Sequence, residues 1–263
     1  MGCGAEPHVR LFRGRVLMGK VITVASGKGG TGKTTSVAAI SSCLAVLGHR
    51  TLCVDFDAGL KNLDLALCMS DFTVKDYMDV VNGRLNLKEA CSESPHIPNL
   101  FFLAAPSDID HDEKDIAGLK SMFDEARKEF DYCFIDSPSG IGLGFRLAHE
   151  NADMSIIITT GEGPAVRDSQ EAAEVAREIG VGELRLLVNR ITAYNLRWLH
   201  ATVDDVIDTV GVRLIGVIPE DKAVFQALHS NTPLILYRKK LAAYDFLDVA
   251  RRIAGEDVPL RQK

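Results

Sequence analysis

Short apolar runs alternate with longer amphipathic segments along the chain from residue 20 onward. The runs hold few polar positions, which is typical of strands that are buried on both faces of a parallel sheet. They predict strands at residues 21–26, 50–57, 99–106, 131–138, 154–160, 184–190 and 212–219.

The segments between the runs carry apolar residues at helical spacing. After the first run, Val37, Ile40, Leu44 and Leu47 fall on one face of a helix, and Gly48 stands where a C-terminal glycine cap belongs. Strands that alternate with helices predict an α/β fold, in which a mostly parallel sheet is flanked by helices on both faces. Further helices are predicted at residues 73–82, 112–129, 141–150, 165–179, 197–209, 221–229 and 241–254.

The composition fits one large domain. The chain has 263 residues, of which 46% are hydrophobic and 25% are charged, and it shows no linker or internal repeat. No apolar run reaches 18 residues, so no transmembrane helix is expected. A net charge of −6 argues against a surface built as a whole for nucleic acid.

The cysteines are spread without C-x-x-C spacing, and most stand inside apolar runs. This pattern predicts buried thiols in a reducing cytosol rather than a metal or redox site, so a cytoplasmic protein is expected. The six are Cys3, Cys43, Cys53, Cys68, Cys91 and Cys133.

The two ends of the chain differ from its middle. Arg10, Arg13 and Arg15 interrupt the apolar residues at the start, so no signal peptide is predicted, and Met18 is an alternative start. The expected division is a disordered extension at 1–19, the folded domain at 20–255 and a short tail at 256–263. A weak interfacial helix at 9–20 is the alternative for the extension.

A glycine-rich loop joins the first predicted strand to the first helix. Residues 27–34 (GKGGTGKT) fit G-x-x-x-x-G-K-[ST], a phosphate-binding motif. Gly29, Gly30 and Gly32 let the backbone bend, so that the N–H groups of the loop, that of Thr31 among them, converge on phosphate oxygens.

Three side chains at the end of this loop have expected roles. Lys33 should reach the β- and γ-phosphates, and the Thr34 hydroxyl should bind Mg²⁺. Thr35 is placed to touch the α-phosphate. The N-terminus of the following helix adds the positive end of its dipole.

A second lysine, Lys28, stands five residues before Lys33 and is not required by the geometry of the loop. Its natural use is across a subunit interface. Lys28 of one subunit would reach the nucleotide bound to the partner subunit and add positive charge as phosphoryl transfer proceeds. The pair of lysines therefore predicts a homodimer in which the Lys28 side chain of one subunit reaches the nucleotide of the other.

Carboxylates end two of the predicted strands. Asp55 and Asp57 follow the second strand, so one can hold the hydration shell of magnesium while the other positions the attacking water. Asp136 ends another apolar strand and should also reach Mg²⁺ through water.

These segments together resemble the MinD/ParA family of deviant Walker A ATPases, over residues 20–255. The resemblance lies in KGGTGKT at 28–34, in the D-x-D-x-G-L-x-N-L-D pattern at 55–64 and in DSPSGIG at 136–142. It implies ATP and Mg²⁺ as cofactors, an ATPase whose low rate a partner stimulates, and a single P-loop NTPase domain. The MinD branch is the closer match.

The resemblance also assigns residue roles. It makes Asp57 the carboxylate that positions water and Asn62 a polar contact on the γ-phosphate side. Asn189 would meet the amino edge of adenine, and Pro219 and Glu220 would belong to the loop that covers the base.

The chain departs from the MinD pattern at two places. Gly161 stands where proline is usual, which bears on partner contacts there. The C-terminal residues GEDVPLRQK do not read as the basic amphipathic helix by which MinD lies on membranes. Weak membrane contact is therefore expected, with basic residues at 9–20 or 237–240 as the alternative anchors.

The leading functional prediction is an ATP-driven dimerisation switch for placement of the division septum, with MinC- or MinE-like partners, at the inner face of the cell membrane. A flagellar-number regulator or a ParA-type DNA-partitioning ATPase is the alternative. Net charge and the MinD-like segments disfavour DNA as the bound surface. A metal or iron–sulfur carrier is less favoured, because no cysteine pair has the spacing it needs.

Overall fold

A computed structural model describes residues 11–12, 15–16, 18–70, 75–107, 113–192, 202–237 and 241–261. Its strands are β1 (Leu11–Phe12), β2 (Arg15–Val16), β3 (Lys20–Ala25), β4 (Thr51–Asp55), β5 (Ser92–Glu93), β6 (Leu100–Leu103), β7 (Tyr132–Asp136), β8 (Met154–Thr159), β9 (Glu183–Ile191) and β10 (Leu214–Pro219). Its helices are α1 (Lys33–Val46), α2 (Leu63–Ala66), α3 (Tyr77–Val81), α4 (Leu87–Ala90), α5 (Glu113–Glu129), α6 (Leu143–Glu150), α7 (Gly163–Ile179), α8 (Val203–Val210), α9 (Lys222–His229) and α10 (Leu241–Ile253), with a 3-10 turn at Leu234–Leu236.

Eight strands form one sheet in the order β10-β9-β8-β3-β7-β4-β6-β5. Every neighbouring pair is parallel except β5 with β6, which is antiparallel. The predicted parallel α/β sheet is confirmed, and each predicted strand is present with ends shifted by a few residues. Strand β5 was missed because two residues carry no periodicity.

The helices agree with the sequence pattern except for the shortest ones. Helices α2 and α4 were not predicted, since four residues make barely one turn. The helix predicted at 73–82 begins only at Tyr77, where Asp76 forms a capping box. Part of that prediction, residues 73–74, and residues 197–201 of another lie outside the described residues.

The first strands correct one expectation. Leu11–Phe12 pairs antiparallel with Arg15–Val16. These four residues are therefore extended, and the interfacial helix considered for 9–20 is wrong for them.

Helix α1 is buried along nearly its whole length. It packs against α10 on one face of the sheet, whereas α5 and α7 cover the other face. Its end is marked by Gly48, whose φ of 93° is left-handed, as expected for a glycine cap. Leu47, placed on the buried face by the pattern, is the C-cap and is 40% exposed.

The register of the central strands decides where the functional residues meet. Val24 of β3 and Asp55 of β4 both pair with Asp136 of β7. Because these strands are parallel and end together, the loop after β3 and both carboxylates lie at one edge of the sheet.

Candidate nucleotide-binding site

A pocket of about 640 Å³ opens at the carboxyl edge of the sheet. It brings together most of the residues predicted from the sequence: Gly29, Gly30, Gly32, Lys33, Thr34, Thr35, Asp57, Asn62, Asn189, Pro219 and Glu220. Lys28 and Thr31 line a smaller cavity beside the loop, Asp55 lines another, and Asp136 is buried. Segments far apart in sequence thus converge on one site.

Two glycines of the loop are required by close neighbours. A Cβ on Gly32, where φ is +92°, would lie 2.4 Å from Asn189 Nδ2. A Cβ on Gly27 would lie 2.1 Å from the backbone oxygen of Asp168 in α7. No side chain fits at either place, so the loop packs backbone against its neighbours.

Three carbonyl oxygens of the loop accept hydrogen bonds from side chains. The Ser26 hydroxyl donates to the Lys28 carbonyl over 2.6 Å, and Asn189 Nδ2 donates to the Thr31 carbonyl over 2.8 Å. Arg190 Nη1 donates to the Gly30 carbonyl over 3.3 Å. An anion repels carbonyl oxygens and attracts N–H groups, so a loop whose carbonyls are held elsewhere suits phosphate.

The two lysines of the loop lie in opposite environments. Lys33 is only 8% exposed, and its Nζ donates to the Ser26 hydroxyl over 3.1 Å. Burial lowers the pKa of Lys33, although Asp136 and Asp57 act in the other direction. Lys28 is exposed. One lysine therefore faces into the pocket floor and the other faces outward.

The two strand-end carboxylates are almost fully buried, each at 2% exposure. Burial raises the pKa of Asp136 to about 7, and the neighbouring Asp55 adds to this while a hydrogen bond from Thr34 opposes it. Burial also raises the pKa of Asp55 to about 6. Both groups favour a nearby cation, because it would offset the cost of a buried negative charge.

The oxygens around Thr34 fit magnesium. Asp136 Oδ1 is buried without a hydrogen-bond partner, and the Thr34 hydroxyl bonds to the same carboxyl group. Mg²⁺ prefers oxygen ligands and keeps several waters, so it needs few protein side chains. Over the described ranges, no three His, Cys, Asp or Glu side chains gather as a metal site.

Asp57 and Asn62 lie at the mouth of the pocket on the segment that leads from β4 to α2. Asp57 is partly exposed and Asn62 is exposed. Asp55 anchors this segment, because its carboxylate accepts hydrogen bonds from the Asp57 and Leu63 amides, over 2.9 and 3.4 Å. A buried residue thus sets the position of an exposed carboxylate.

The other end of the pocket suits a base that carries an amino group. The Asn189 amide is 5% exposed, and its Nδ2 is committed to the Thr31 carbonyl. The side-chain oxygen is therefore the atom left to accept a hydrogen bond from a ligand. Assignment of the two amide atoms follows from this contact.

Sequence reasoning missed the apolar wall and one cation at this end. Ile218, Val224, Phe225, Leu228 and Phe246 line the pocket, and no short motif marks them. This wall gives a planar ring an apolar surface to lie on.

The missed cation is Arg190, which adopts a left-handed backbone with φ of 58°. Its Nη2 contacts Glu220 Oε1 over 3.1 Å, while its Nη1 reaches the loop carbonyl of Gly30. Since a left-handed backbone is unusual for arginine, tertiary contacts must hold it. It joins the base loop to the phosphate loop.

Gly161, where the sequence departs from the MinD pattern, lies close to Ile191. A Cβ there would lie 3.2 Å from Ile191 Cδ1, closer than most such contacts. The neighbouring residues Thr160, Glu162 and Ala165 share the small cavity with Lys28. The start of α7 therefore lies beside the outward-facing lysine.

In the part of the chain that the structure describes, none of the helices has the length and apolarity needed to cross a membrane.

Comparison with known proteins gives consistent results. A family model described as an AAA domain matches residues 19–177. The septum site-determining protein MinD of Bacillus subtilis is 35% identical over 248 residues, which cover 93% of this chain and 92% of that protein.

Solved structures agree with the sequence relatives. A chain of the MinC:MinD cell division protein complex of Aquifex aeolicus is 32% identical with a TM-score of 0.84, over 92% of this chain and 98% of that one. MinD of Pyrococcus horikoshii, complexed with Mg-ADP, is 27% identical with a TM-score of 0.78, over 90% of this chain and 96% of that one. On sequence, fold and site together, the chain belongs to the septum site-determining MinD family of P-loop ATPases.

Proposed function

We propose that this ATPase works as a dimerisation switch in placement of the division septum. ATP with Mg²⁺ fills the pocket, two loaded copies associate face to face, and hydrolysis separates them. The observation that carries the proposal is the opposite placement of two lysines on one loop. Lys33 is buried at the pocket floor and Lys28 is exposed beside the pocket.

Lys33 and the loop amides bind the phosphates. Thr34, Asp55 and Asp136 would hold magnesium, the carboxylates through water, and the charge that it supplies would offset that of the phosphates. Thr35 contacts the α-phosphate.

Asp57 orients the attacking water from the pocket mouth, and Asn62 makes a polar contact on the γ-phosphate side. Both residues are open enough to meet a second subunit. Lys28 of that subunit supplies the extra positive charge, so ATP hydrolysis depends on dimerisation.

Asn189 accepts from the amino edge of adenine, with Pro219 and Glu220 in the loop that covers the base. The fixed orientation of the Asn189 amide supports this, because its free oxygen is an acceptor. Guanine presents a carbonyl oxygen where adenine presents an amino group, and the Asn189 side-chain oxygen cannot donate a hydrogen bond to it.

The dimer recruits regulatory proteins. A MinC-like partner is supported by the relative from Aquifex aeolicus that is described in a MinC:MinD complex. We further propose a MinE-like protein that stimulates hydrolysis, weak contact with the inner face of the cell membrane, and residues 20–255 as the ATPase domain.

The test replaces each lysine in turn. Lys28→Ala should keep ATP affinity within about threefold of wild type while it loses ATP-dependent dimerisation and hydrolysis, because its ammonium acts across the interface. Light scattering with Mg-ATP, nucleotide titration and phosphate release provide the readouts. Lys120→Ala, which removes an exposed lysine on α5, is the matched control.

Two outcomes would contradict the proposal. A Lys28→Ala protein that dimerises and hydrolyses ATP normally removes the argument from the two lysines. ATP-dependent sedimentation with DNA, and none with anionic liposomes or a MinC-like protein, would assign the switch to DNA partitioning instead.

A further inference from the structure

Ser26 joins three parts of the site that have separate roles. It is fully buried at the end of β3. Its hydroxyl donates to the Lys28 carbonyl over 2.6 Å and accepts from Lys33 Nζ over 3.1 Å. Its own carbonyl accepts from the Gly140 amide over 3.3 Å. The sequence motif gives this serine no role, because it precedes the first glycine of the loop.

The direction of these hydrogen bonds is fixed by chemistry. An ammonium group can only donate and a carbonyl can only accept. Lys33 therefore donates to the hydroxyl, and the hydroxyl must donate its single proton to Lys28. The bonds form a chain from the buried lysine through Ser26 to the backbone of the exposed one, and each bond in such a chain polarises the next.

The glycine-containing segment of residues 137–142, here called the switch segment, lies against Ser26. Gly140 has a φ of +84°, and its amide ends on the Ser26 carbonyl. A Cβ on Gly29 would lie 4.0 Å from Ser139 Oγ, so the loop and the switch segment are in side-by-side contact. A displacement of Ser26 would therefore be transmitted to both the phosphate-binding loop and the switch segment.

Nucleotide changes the first link of this chain. A phosphate oxygen is a stronger partner for an ammonium than a neutral hydroxyl is, so bound phosphates would draw Lys33 Nζ towards themselves and weaken its bond to Ser26. The bond from the hydroxyl to the Lys28 carbonyl would then lose part of the polarisation that the ammonium supplied.

We infer that Ser26 is a positioning residue that couples occupancy of the phosphate site at Lys33 to the placement of Lys28 and of the switch segment. This inference rests on the proposed use of Lys28 across a dimer interface. It assigns a role to a fully buried residue that the phosphate-binding motif does not include.

The test separates nucleotide binding from dimerisation. Ser26→Ala deletes the hydroxyl and leaves the Lys28 carbonyl without its partner, whereas Ser26→Thr keeps a hydroxyl. Ser36→Ala is the matched control, because Ser36 is equally buried but its hydroxyl has no hydrogen-bond partner. The measurements are ADP affinity, the protein concentration at half-maximal dimerisation in Mg-ATP, and the hydrolysis rate.

In Ser26→Ala, ADP affinity should stay within about threefold of wild type, while the dimerisation midpoint should rise about tenfold, which is the usual scale for one buried hydrogen bond. Ser26→Thr should return the midpoint to within about threefold of wild type, and Ser36→Ala should match wild type in every measurement. Unchanged dimerisation in Ser26→Ala, or an equal loss of ADP affinity and dimerisation, overturns the inference.

A measurement on the wild-type protein tests the inference even if a variant fails to fold. Hydrogen exchange should show that ADP alters protection of the loop and of the switch segment together. Exchange that changes in the loop alone overturns the inference. If Lys28→Ala dimerises normally, the result counts against the proposed function. If Lys28→Ala fails to dimerise and Ser26→Ala dimerises normally, the result counts only against the role of Ser26.

Discussion

The floor and the rim of the nucleotide pocket are built differently. The floor is defined by Lys33, which lines the pocket, and by Asp55 and Asp136, which are buried close to it; the exposures of the three are 8%, 2% and 2%. The rim holds Lys28, Asp57 and Asn62, of which two are exposed and one is partly exposed. Floor residues stand at strand ends or on α1, whereas rim residues stand on the loop segments that leave β3 and β4.

This difference separates what one subunit can do from what needs a second. The floor buries two carboxylates near one lysine, so a bound cation such as magnesium would offset their excess negative charge. The rim has no such imbalance, and its side chains are free to meet another surface. Floor variants should therefore affect binding within the monomer, and rim variants should affect turnover.

The largest expected effect is on the rim. Asp57→Ala should lower the rate of ATP hydrolysis by about 10² to 10⁴, because it removes the group that positions water. ATP affinity should remain close to that of wild type, and the ATP dimer should persist longer, which light scattering with phosphate release will measure. Asp208→Ala, which removes an exposed carboxylate on α8, serves as control. Wild-type turnover in Asp57→Ala would move the role to Asp55 or Asp136.

The next effect is on the floor. Lys33→Ala should weaken ATP binding by at least about 100-fold, because charge-assisted hydrogen bonds contribute roughly 1.5–3 kcal/mol each and an ammonium has three donors to offer the phosphates. Calorimetric titration gives the affinity. Lys61→Ala, which removes a lysine outside the nucleotide pocket, should bind normally. Near-native affinity in Lys33→Ala would mean that the nucleotide does not bind in this loop.

A smaller effect concerns stability of the floor without ligand. The pKa of Asp136 in the folded protein is about 7, against an ordinary value of 3.8. The folded protein therefore keeps a proton that the unfolded chain has lost, and its stability falls as pH rises from about 4 to 7. Asp136→Asn carries no charge and should be more stable than wild type by roughly 1–3 kcal/mol at pH 8, with no gain at pH 4.

Denaturant unfolding at the two pH values, without Mg²⁺ or nucleotide, measures this gain. Adding Mg-ATP should reverse the order, since the wild-type carboxylate then has its cation. A gain that does not depend on pH would contradict the explanation by buried charge.

The smallest effect is at the base. Asn189→Ala should reduce the preference for ATP over GTP by about three- to tenfold, the scale of one net hydrogen bond. The ratio of the two affinities is the readout, because loosening of the loop at the Thr31 carbonyl would weaken both nucleotides equally. An unchanged ratio would show that the base is selected elsewhere.

Residue pattern could name candidate site residues wherever the signal is local in sequence. The loop glycines, both lysines and the strand-end carboxylates were all named from spacing or from resemblance. Pattern failed for α2, which is too short for periodicity, and for Arg190, whose role depends on a left-handed turn that propensity does not favour. Phe225 was missed for a related reason, because one exposed aromatic residue on a helix carries no signal of a pocket.

The sequence by itself determined the sheet, the phosphate loop and the family, because alternating apolar runs and closely spaced glycines act through neighbours in the chain. Only the tertiary structure decided which lysine is buried and which carboxylates share one edge. Burial and charge coupling depend on parallel strands ending together, as Asp55 and Asp136 do. The same holds for Ser26, since its three partners come from the loop, the first helix and a segment more than a hundred residues away.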